Sequence, residues 1–471
     1  MAEILESELV IIGAGPGGYA AAFLAADKGM KVTLIDAGEK PGGTCLHVGC
    51  IPSKALLHTA KLITDARDAA QFGVRFEPPK IDIAGVRGQW QKVVGTLSTN
   101  LLGLCKARKV EFVHARARFA DSRTLQLDDG RRIAFRNCIL ATGSVPVKPP
   151  SLALDSPRVM DSTAALRLDE LPKTLLVVGG GYIGLELGYV YAALGSQVTV
   201  VELTPSLLPG VDSDLIQPLQ KRLKGLFHKI YLNTKVARLA ESPKGIQVVL
   251  EGEDVEEKEP TFDRVLIAVG RRPNTRDLGL DKTKVQLDEK GFVKVDGRRR
   301  TTDEAIYAIG DIAGEPMLAH KATYEGKVAV EAILGEPAVM DNRAVPAVVF
   351  TDPEIAWAGL TETEAQKAGR EVEVARYPWA ASGRALTLGR TEGLTKLLLD
   401  PQTEQVLGVG IVGVEAGEMI GEAMLAIEMG ATAKELALTI HAHPTLAETI
   451  PGSADVFHGT ATDLYRPKKR S

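Results

Sequence analysis

Two cysteines, Cys45 and Cys50, lie five positions apart in the stretch GGTCLHVGCIPSKALL. Thiols this close in sequence can form a reversible disulfide, or sit inert in a core. The interval is too wide for the C-x-x-C of thioredoxin-like motifs, and no second pair follows at zinc-site spacing. Far along the chain, HAHPTLAE carries His441, His443 and Glu448. A histidine five residues before a glutamate can be held in one tautomer by that carboxylate. A free thiol has a pKa of about 8.5 and must lose its proton to attack a disulfide. An imidazole, with a pKa of about 6.5 raised by a carboxylate, suits that task.

The elements that must position these groups can be read from a repeat. ELVIIGAGPGGYAAAFLAADKGMKVTLID and TLLVVGGGYIGLELGYVYAALGSQVTVVE each read as an apolar strand, a glycine turn, a helix and a second strand ending in an acid. From Gly13 to Asp36, and from Gly179 to Glu202, the interval is 23 positions. A lone G-x-G-x-x-G is weak evidence. Two copies in the right context, each with an acid about 20 residues on, point to two dinucleotide sites. In each unit the first glycine permits the turn, the second admits the pyrophosphate, and the third lets helix pack on strand. These are Gly13, Gly15 and Gly18, then Gly179, Gly181 and Gly184. CILATGS and VLIAVGR are further strands that stop at a glycine, Gly143 and Gly270, and AIYAIGDIAG ends one at Gly310–Asp311.

Between the two units, residues 55–110 have a mainly helical pattern and PVKPPSLALDSP reads as a linker. From about residue 346, VPAVVFTDPEIAWAGL and TKLLLDPQTEQVLGVGIVG read as strands joined by turns, followed by helices. The expected division is 1–150 and 276–345 for a first, split dinucleotide domain, 151–275 for a second, and 346–471 for an α+β domain.

The cysteine pair begins nine residues after Asp36, next to the first dinucleotide site. Nicotinamide carries hydride only, so a flavin, which accepts electrons from a thiolate, is the better neighbour for a dithiol. A helix follows Gly49, and regular helix geometry would separate residues five apart by a rise of ~7.5 Å. Disulfides do not span Cα separations beyond ~7 Å. A bonded pair therefore requires a distorted helix start, for which Pro52 and Gly49 supply the means.

Bulk properties bound the setting. A chain of 471 residues is expected to hold two to four domains. With a net charge of −4 and 25% charged residues, nothing singles out nucleic acid or a membrane surface as partner. The short basic end, RPKKRS, reads as a solvated tail. The first residues carry no signal-peptide pattern, and four cysteines do not make a disulfide scaffold. A reducing, cytoplasmic compartment is expected.

GGTCLHVGCIPSKALL, with GGGYIGLE, ATGS, AIGDI, MLAHKA and TIHAHPTLAE in the same order, resembles the flavin-dependent pyridine nucleotide-disulfide oxidoreductases over essentially the whole chain. Within that family it is most similar to the branch that oxidises dihydrolipoamide. Glutathione reductase-like members read Lys-Lys where this chain has Ser53–Lys54. Mercuric reductases carry a C-terminal cysteine pair, and soluble transhydrogenases lack the redox pair. His47 is a departure, since the family more often has Asn between the cysteines.

The resemblance implies an α/β fold of two Rossmann-like domains plus a C-terminal α+β dimerisation domain. It implies FAD at Gly13, Gly15, Gly18, Asp36, Lys54, Ala117, Thr142, Gly143, Ser144, Asp311 and Ala319. NAD is expected at Gly179, Gly181, Gly184, Glu202 and Gly270, and Glu186 is the partner of Lys54. Cys45 and Cys50 become the redox pair, His443 the base acting across a homodimer, and Glu448 its orienter. The implied substrate is dihydrolipoamide on lipoyl domains of 2-oxo acid dehydrogenase complexes or on the glycine cleavage carrier. An NADPH-driven disulfide reductase and a non-enzymatic redox sensor are the alternatives.

Overall fold

In the computed structural model, residues 4–465 are described; the RPKKRS segment lies outside them. The strand Ile4–Ile12, helix Pro16–Asp27 and strand Val32–Asp36 form the first repeated unit. Its opening strand is almost wholly apolar at its end because it is central and parallel, with both faces covered. It pairs in parallel with Val32–Asp36 on one side and Arg132–Leu140 on the other, Ile12 standing between Ile35 and Leu140. Glu111–His114 extends the parallel part, while Thr124–Leu127 and Ala117–Asp121 add an antiparallel flap. The seventh strand, Ile306–Ala308, arrives from far along the chain and pairs in parallel with Arg132–Leu140.

The second unit repeats the pattern with Thr174–Val178, helix Tyr182–Leu194 and Gln197–Val201. Its parallel five-stranded sheet runs in the order Lys229–Tyr231, Gln197–Val201, Thr174–Val178, Arg264–Ile267, Val159–Met160. A three-stranded antiparallel sheet, Lys235–Ser242, Gly245–Glu251 and Thr261–Phe262, accompanies it. The two crossings of the chain between these units lie side by side, Ser144–Pro146 pairing antiparallel with Arg271–Pro273. The proline-rich segment after it holds a single 3-10 turn, Pro150–Leu152.

The third part is a five-stranded antiparallel sheet in the order Ala347–Val349, Glu354–Gly359, Val406–Gly413, Leu394–Leu399, Glu373–Pro378. Helices Ala416–Met429 and Thr449–His458 pack on it through Ile420, Ile450 and the fully buried Trp379. The fold class is therefore the expected one: α/β with two Rossmann-like units and a C-terminal α+β part. No helix among the described residues is long and apolar enough to cross a membrane.

Around the cysteines the chain forms two helices, Gly43–Val48 and Cys50–Asp68, rather than one helix distorted at its start. The break falls at Gly49, whose backbone (φ −146°, ψ −113°) leaves the helical region. A Cβ there would stand 2.8 Å from the Thr44 carbonyl oxygen, so a side chain would force the two helices apart. Helix Cys50–Asp68 lies against Tyr182–Leu194 of the second unit. Leu56, Leu57 and Ala60 share a core with Leu185 and Tyr189, and the Thr64 and Tyr189 hydroxyls are 2.8 Å apart.

The second and third parts are joined by a buried charge cluster. Lys396, with its side chain 1% exposed, places Nζ 2.7–2.8 Å from carboxylate oxygens of Asp212, Asp214 and Glu362. Asp212 also accepts from the Glu362 and Thr363 backbone N–H groups, each at 3.0 Å. Removing one member of such a cluster leaves uncompensated charge out of water, at a cost of roughly 3–5 kcal/mol. Lys396→Ala should therefore lower the urea midpoint by a matching amount with an unchanged slope; an unaltered midpoint would mean the cluster contributes nothing to the seating of the two parts.

Candidate active site

Cys45 sits in the short helix and Cys50 opens the long one, so the break at Gly49 turns both thiols toward one space. They line a cavity of about 1180 Å³. The two thiols form a hydrogen-bonded pair, and the structure holds them as free cysteines. The Cys45 thiol is pushed well up by its hydrogen bond with Cys50, by burial and by the neighbouring charge. Cys50 is drawn down to about 7, first by the hydrogen bond from Cys45, against the effect of burial, and with help from the Lys54 ammonium. The pair thus places its negative charge on Cys50.

Lys54 lies one helical turn beyond Cys50. Its Nζ is 2.9 and 3.1 Å from the two carboxylate oxygens of Glu186, whose residue is only 3% exposed. Lys54 comes from the redox helix and Glu186 from the helix of the second unit, so this ion pair crosses between them. A third element closes it. The Phe350 N–H donates to Glu186 Oε1 at 3.0 Å, and the Phe350 ring centroid lies 4.5 Å from Lys54 Nζ. Sequence reasoning had no signal for Phe350, which belongs to no nucleotide or redox motif.

The same cavity is lined by Gly13, Gly15, Asp36, Lys54, Ala117, Thr142, Gly143, Ser144, Asp311, Ala319 and Glu186. Gly18 lies beneath its floor: a Cβ there would meet the Gly13 carbonyl oxygen at 1.8 Å, which explains why the turn excludes a side chain. The helices beginning at Pro16 and Ala319 both open onto the cavity, and neither has a side-chain cap. Uncapped helix N-termini present unpaired N–H groups and the positive ends of helix dipoles, which suits an anionic, pyrophosphate-bearing ligand. The Trp90 indole N–H, in a residue 8% exposed on the cavity wall, has no hydrogen-bond partner among the described residues. A polar atom left unpaired in this way fits a bound cofactor with acceptors of its own. The volume, the donors and the adjacent dithiol together fit FAD.

Asp36 braces this cradle as well as facing it. Its Oδ2 accepts from Ala14 N at 2.6 Å and its Oδ1 from Gly38 N at 2.7 Å. Asp311 accepts from the Ser144 hydroxyl at 2.5 Å, and that hydroxyl accepts from Arg271 Nε at 2.7 Å. Arg271 directly follows Gly270, where the only sequence signal was a strand stopping at a glycine.

Gly179, Gly181, Gly184, Glu202 and Gly270 do not line this cavity. They lie in the second unit, whose turn repeats the first: a Cβ at Gly184 would meet the Gly179 oxygen at 2.1 Å. Glu202 is 7% exposed and turned inward. Its Oε2 accepts from Gly180 N at 2.6 Å, and its Oε1 from the Thr204 N–H and hydroxyl, both at 2.8 Å. The acid expected to meet a ribose therefore also holds its own glycine turn.

His443 and Glu448 stand apart from the cavity lining. His443 Nδ1 lies 2.9 Å from Glu448 Oε1, and Glu448 Oε2 accepts from Thr445 N at 2.7 Å. Burial opposes the charge on Glu448, but these hydrogen bonds outweigh it and hold the carboxyl below its usual range. The His443 side chain is 79% exposed. A few positions before it in the chain, the large apolar side chains of Leu438 and Ile440 are 72% and 98% exposed.

A family model described as pyridine nucleotide-disulphide oxidoreductase matches residues 7–326, and its dimerisation domain matches residues 345–454. The chain is 45% identical over 473 residues to a dihydrolipoyl dehydrogenase of Vibrio cholerae, covering 100% of this chain and 99% of the relative. It is 46% identical to dihydrolipoyl dehydrogenases of Haemophilus influenzae, with coverage of 100% and 99%, and of Thermus scotoductus, with 97% and 98%. Among solved structures, LpdA from Mycobacterium tuberculosis superposes with a TM-score of 0.88 at 28% identity, over 96% of this chain and 100% of that one. The HOCl-induced flavoprotein disulfide reductase RclA from Escherichia coli gives 0.84 at 30% identity, over 94% and 98%.

The electrostatics of the thiol pair can be read directly. In the reduced protein, the ultraviolet thiolate absorbance lost on Cys50→Ser should be present at alkaline pH and disappear as the pH falls through about 7. Lys54→Met removes the cation that favours the thiolate and should move that midpoint upward. A midpoint insensitive to Lys54 would show that the ammonium does not act on Cys50.

Proposed function

The chain belongs to the pyridine nucleotide-disulphide oxidoreductase family, and on that premise we propose that it oxidises protein-bound dihydrolipoamide to lipoamide and forms NADH from NAD⁺. The observation that carries the reading is the Cys45–Cys50 pair, with its charge on Cys50 beside the Lys54–Glu186 ion pair, opening into a cavity that fits FAD. We assign residues 1–150 and 276–345 to the FAD domain, 151–275 to the NAD domain and 346–471 to the dimerisation domain.

In the proposed reaction, His443 of a second subunit accepts a proton from one substrate thiol, with Glu448 holding the imidazole. The substrate thiolate attacks Cys45 Sγ, and the Cys45–Cys50 bond breaks with its electron pair leaving on Cys50. The second substrate thiol then displaces Cys45 and closes the lipoamide disulfide, its proton passing to the departing Cys45 thiolate while His443 keeps the first. Lys54 stabilises the Cys50 thiolate formed in the first step. FAD, held by Gly13, Gly15, Asp36, Thr142, Gly143, Ser144, Asp311, Ala117 and Ala319, supplies the two-electron acceptor that links the dithiol to NAD⁺. Gly179, Gly181, Gly184 and Gly270 shape the NAD site. Glu202 favours NAD over NADP, because a 2′-phosphate would meet its carboxylate. The lipoyl-bearing partner is a 2-oxo acid dehydrogenase complex or the glycine cleavage carrier.

Dihydrolipoamide should reduce NAD⁺ in the presence of the protein, and Cys45→Ser should abolish the reaction. NADP⁺ should be poorer by at least roughly 100-fold in kcat/KM, as juxtaposed like charges cost several kcal/mol. Equal use of the two nucleotides would refute the role given to Glu202. Absence of dithiol oxidation, in protein carrying its flavin, would refute the activity itself.

The trans-acting base has its own test. Cys45→Ser and His443→Ala subunits, each inactive alone, can be unfolded and refolded together. Random pairing makes about half the dimers mixed, each with one intact site, so roughly a quarter of all sites should regain activity. Activity that stays at the level of the separate variants, with mixed dimers verified by a tag, would place the base within its own chain.

A further inference from the structure

Phe350 follows the strand Ala347–Val349 of the third part, yet its contacts are with the other two. Its N–H bonds Glu186 of the second unit, and its ring faces Lys54 of the first. The turn that carries it is pinned. Asp352, two residues on, is bound by Arg390 and by Arg222, the latter at 3.0 Å. Arg222 in turn binds Asp68, the last residue of helix Cys50–Asp68. The third part thus meets the redox helix directly at Lys54, in its first turns, and reaches Asp68, in its last, through Arg222 of the second unit.

We propose that Phe350 is a positioning residue for the dithiol: its ring and N–H together hold the Lys54 ammonium where it acts on Cys50. The inference rests on the reading of Cys50 as the working thiolate. Two physical terms support it. A cation over an aromatic face is attracted by the ring quadrupole, the more so when partly desolvated. Glu186 is almost wholly buried, and the Phe350 N–H satisfies a lone pair that Lys54 leaves free, which fixes the carboxylate and through it the ammonium. Without the ring, Lys54 keeps one anchor, its flexible stem can swing toward water, and its field at Cys50 weakens. The third part thereby sets the chemistry of a thiol to which it contributes no ligand or nucleophile.

The test is the pH profile of Cys50 alkylation by iodoacetamide in the fully reduced protein, with Cys50 resolved from Cys45 by fragment-ion mass spectrometry. The titratable and charged groups that face Cys50 are Cys45, Lys54, Glu186 and the phenols of Tyr19 and Tyr182, so each variant is compared on the same background. Phe350→Leu should move the half-maximal pH upward by about half a unit or more, the size of a cation–π contact at a partly buried site. Phe350→Tyr keeps the ring and should retain the parental profile. In a Lys54→Met background, Phe350→Leu should add no further shift, because the two changes act through one group. A merely structural role would lower thermal stability but leave the profile in place. Should Phe350→Leu not fold, Phe350→Met, of similar volume and without a ring, takes its place. An unshifted profile in the ring-less variant, or an equal shift with Lys54 already removed, overturns the proposal. The profile needs no turnover, so a failure of dihydrolipoamide oxidation would refute the functional reading without being mistaken for this result.

Discussion

The ion pair between Lys54 and Glu186 is the contact on which the rest of the site depends. Glu186 is 3% exposed, and a lone carboxylate at such a depth would be expelled or protonated. Here Lys54 meets both its oxygens and the Phe350 N–H meets one of them, so the buried carboxylate is paired on both sides. Each of these groups comes from a different part of the chain. The complete arrangement therefore forms only when all three parts are seated, and the Lys54 ammonium then stands beside Cys50 as a consequence of assembly. Thiol chemistry in this molecule is a property of how its parts meet, more than of the short stretch that carries the cysteines.

The two nucleotide units show the same logic on a smaller scale. Asp36 and Glu202 occupy equivalent places, and the carboxylate of each accepts a backbone N–H from the glycine turn of its own unit, at 2.6 Å in both. The acid at the end of the following strand takes one N–H of the turn, Ala14 or Gly180, and the N–H groups at the uncapped helix start remain for a phosphate. Each carboxylate has about four lone-pair sites, so bracing the turn leaves capacity for a ribose hydroxyl. The spacing of 23 positions is thus explained twice, by the distance across two strands to the ligand and by the distance to the turn itself.

Much of this was legible in the sequence because the signals are local. Strand, turn and helix in the two units follow from apolar runs and glycines, and the α/β class follows from their repetition. The break between Cys45 and Cys50 was legible only as a requirement: Gly49 and Pro52 allow a distortion, but two helices rather than one bent helix depend on the Gly49 backbone meeting Thr44. Phe350, Trp90 and Arg271 were not legible at all. Their roles come from contacts between residues more than a hundred positions apart, or from one unpaired indole N–H on a cavity wall, and no window of sequence contains either. The inward turn of Glu202 was hidden for the same reason: a carboxylate at a strand end looks the same whether it faces a ligand or its own backbone.

The two histidines of HAHPTLAE, each paired with a glutamate, separate on hydrogen bonding alone. His441 lies with Nδ1 2.8 Å from the Thr439 carbonyl oxygen and Nε2 2.6 Å from Glu422, so both nitrogens face acceptors. A ring that must donate twice carries two protons. Burial opposes that charge, but Glu422 and the Thr439 carbonyl outweigh it and hold His441 above the usual imidazole range. With both nitrogens engaged, neither is free to take a proton from a thiol. His443 faces one acceptor, Glu448, at Nδ1. Donation there leaves the Nε2 lone pair unengaged, on a ring 79% exposed in a stretch of chain that also exposes Leu438 and Ile440. A neutral base needs a fixed tautomer, a free lone pair and, once a partner is docked, shelter from bulk water; of the two rings only His443 can satisfy all three. Within one subunit His443 does not line the cavity that holds Cys45 and Cys50, and the base role proposed for it therefore calls for a second chain.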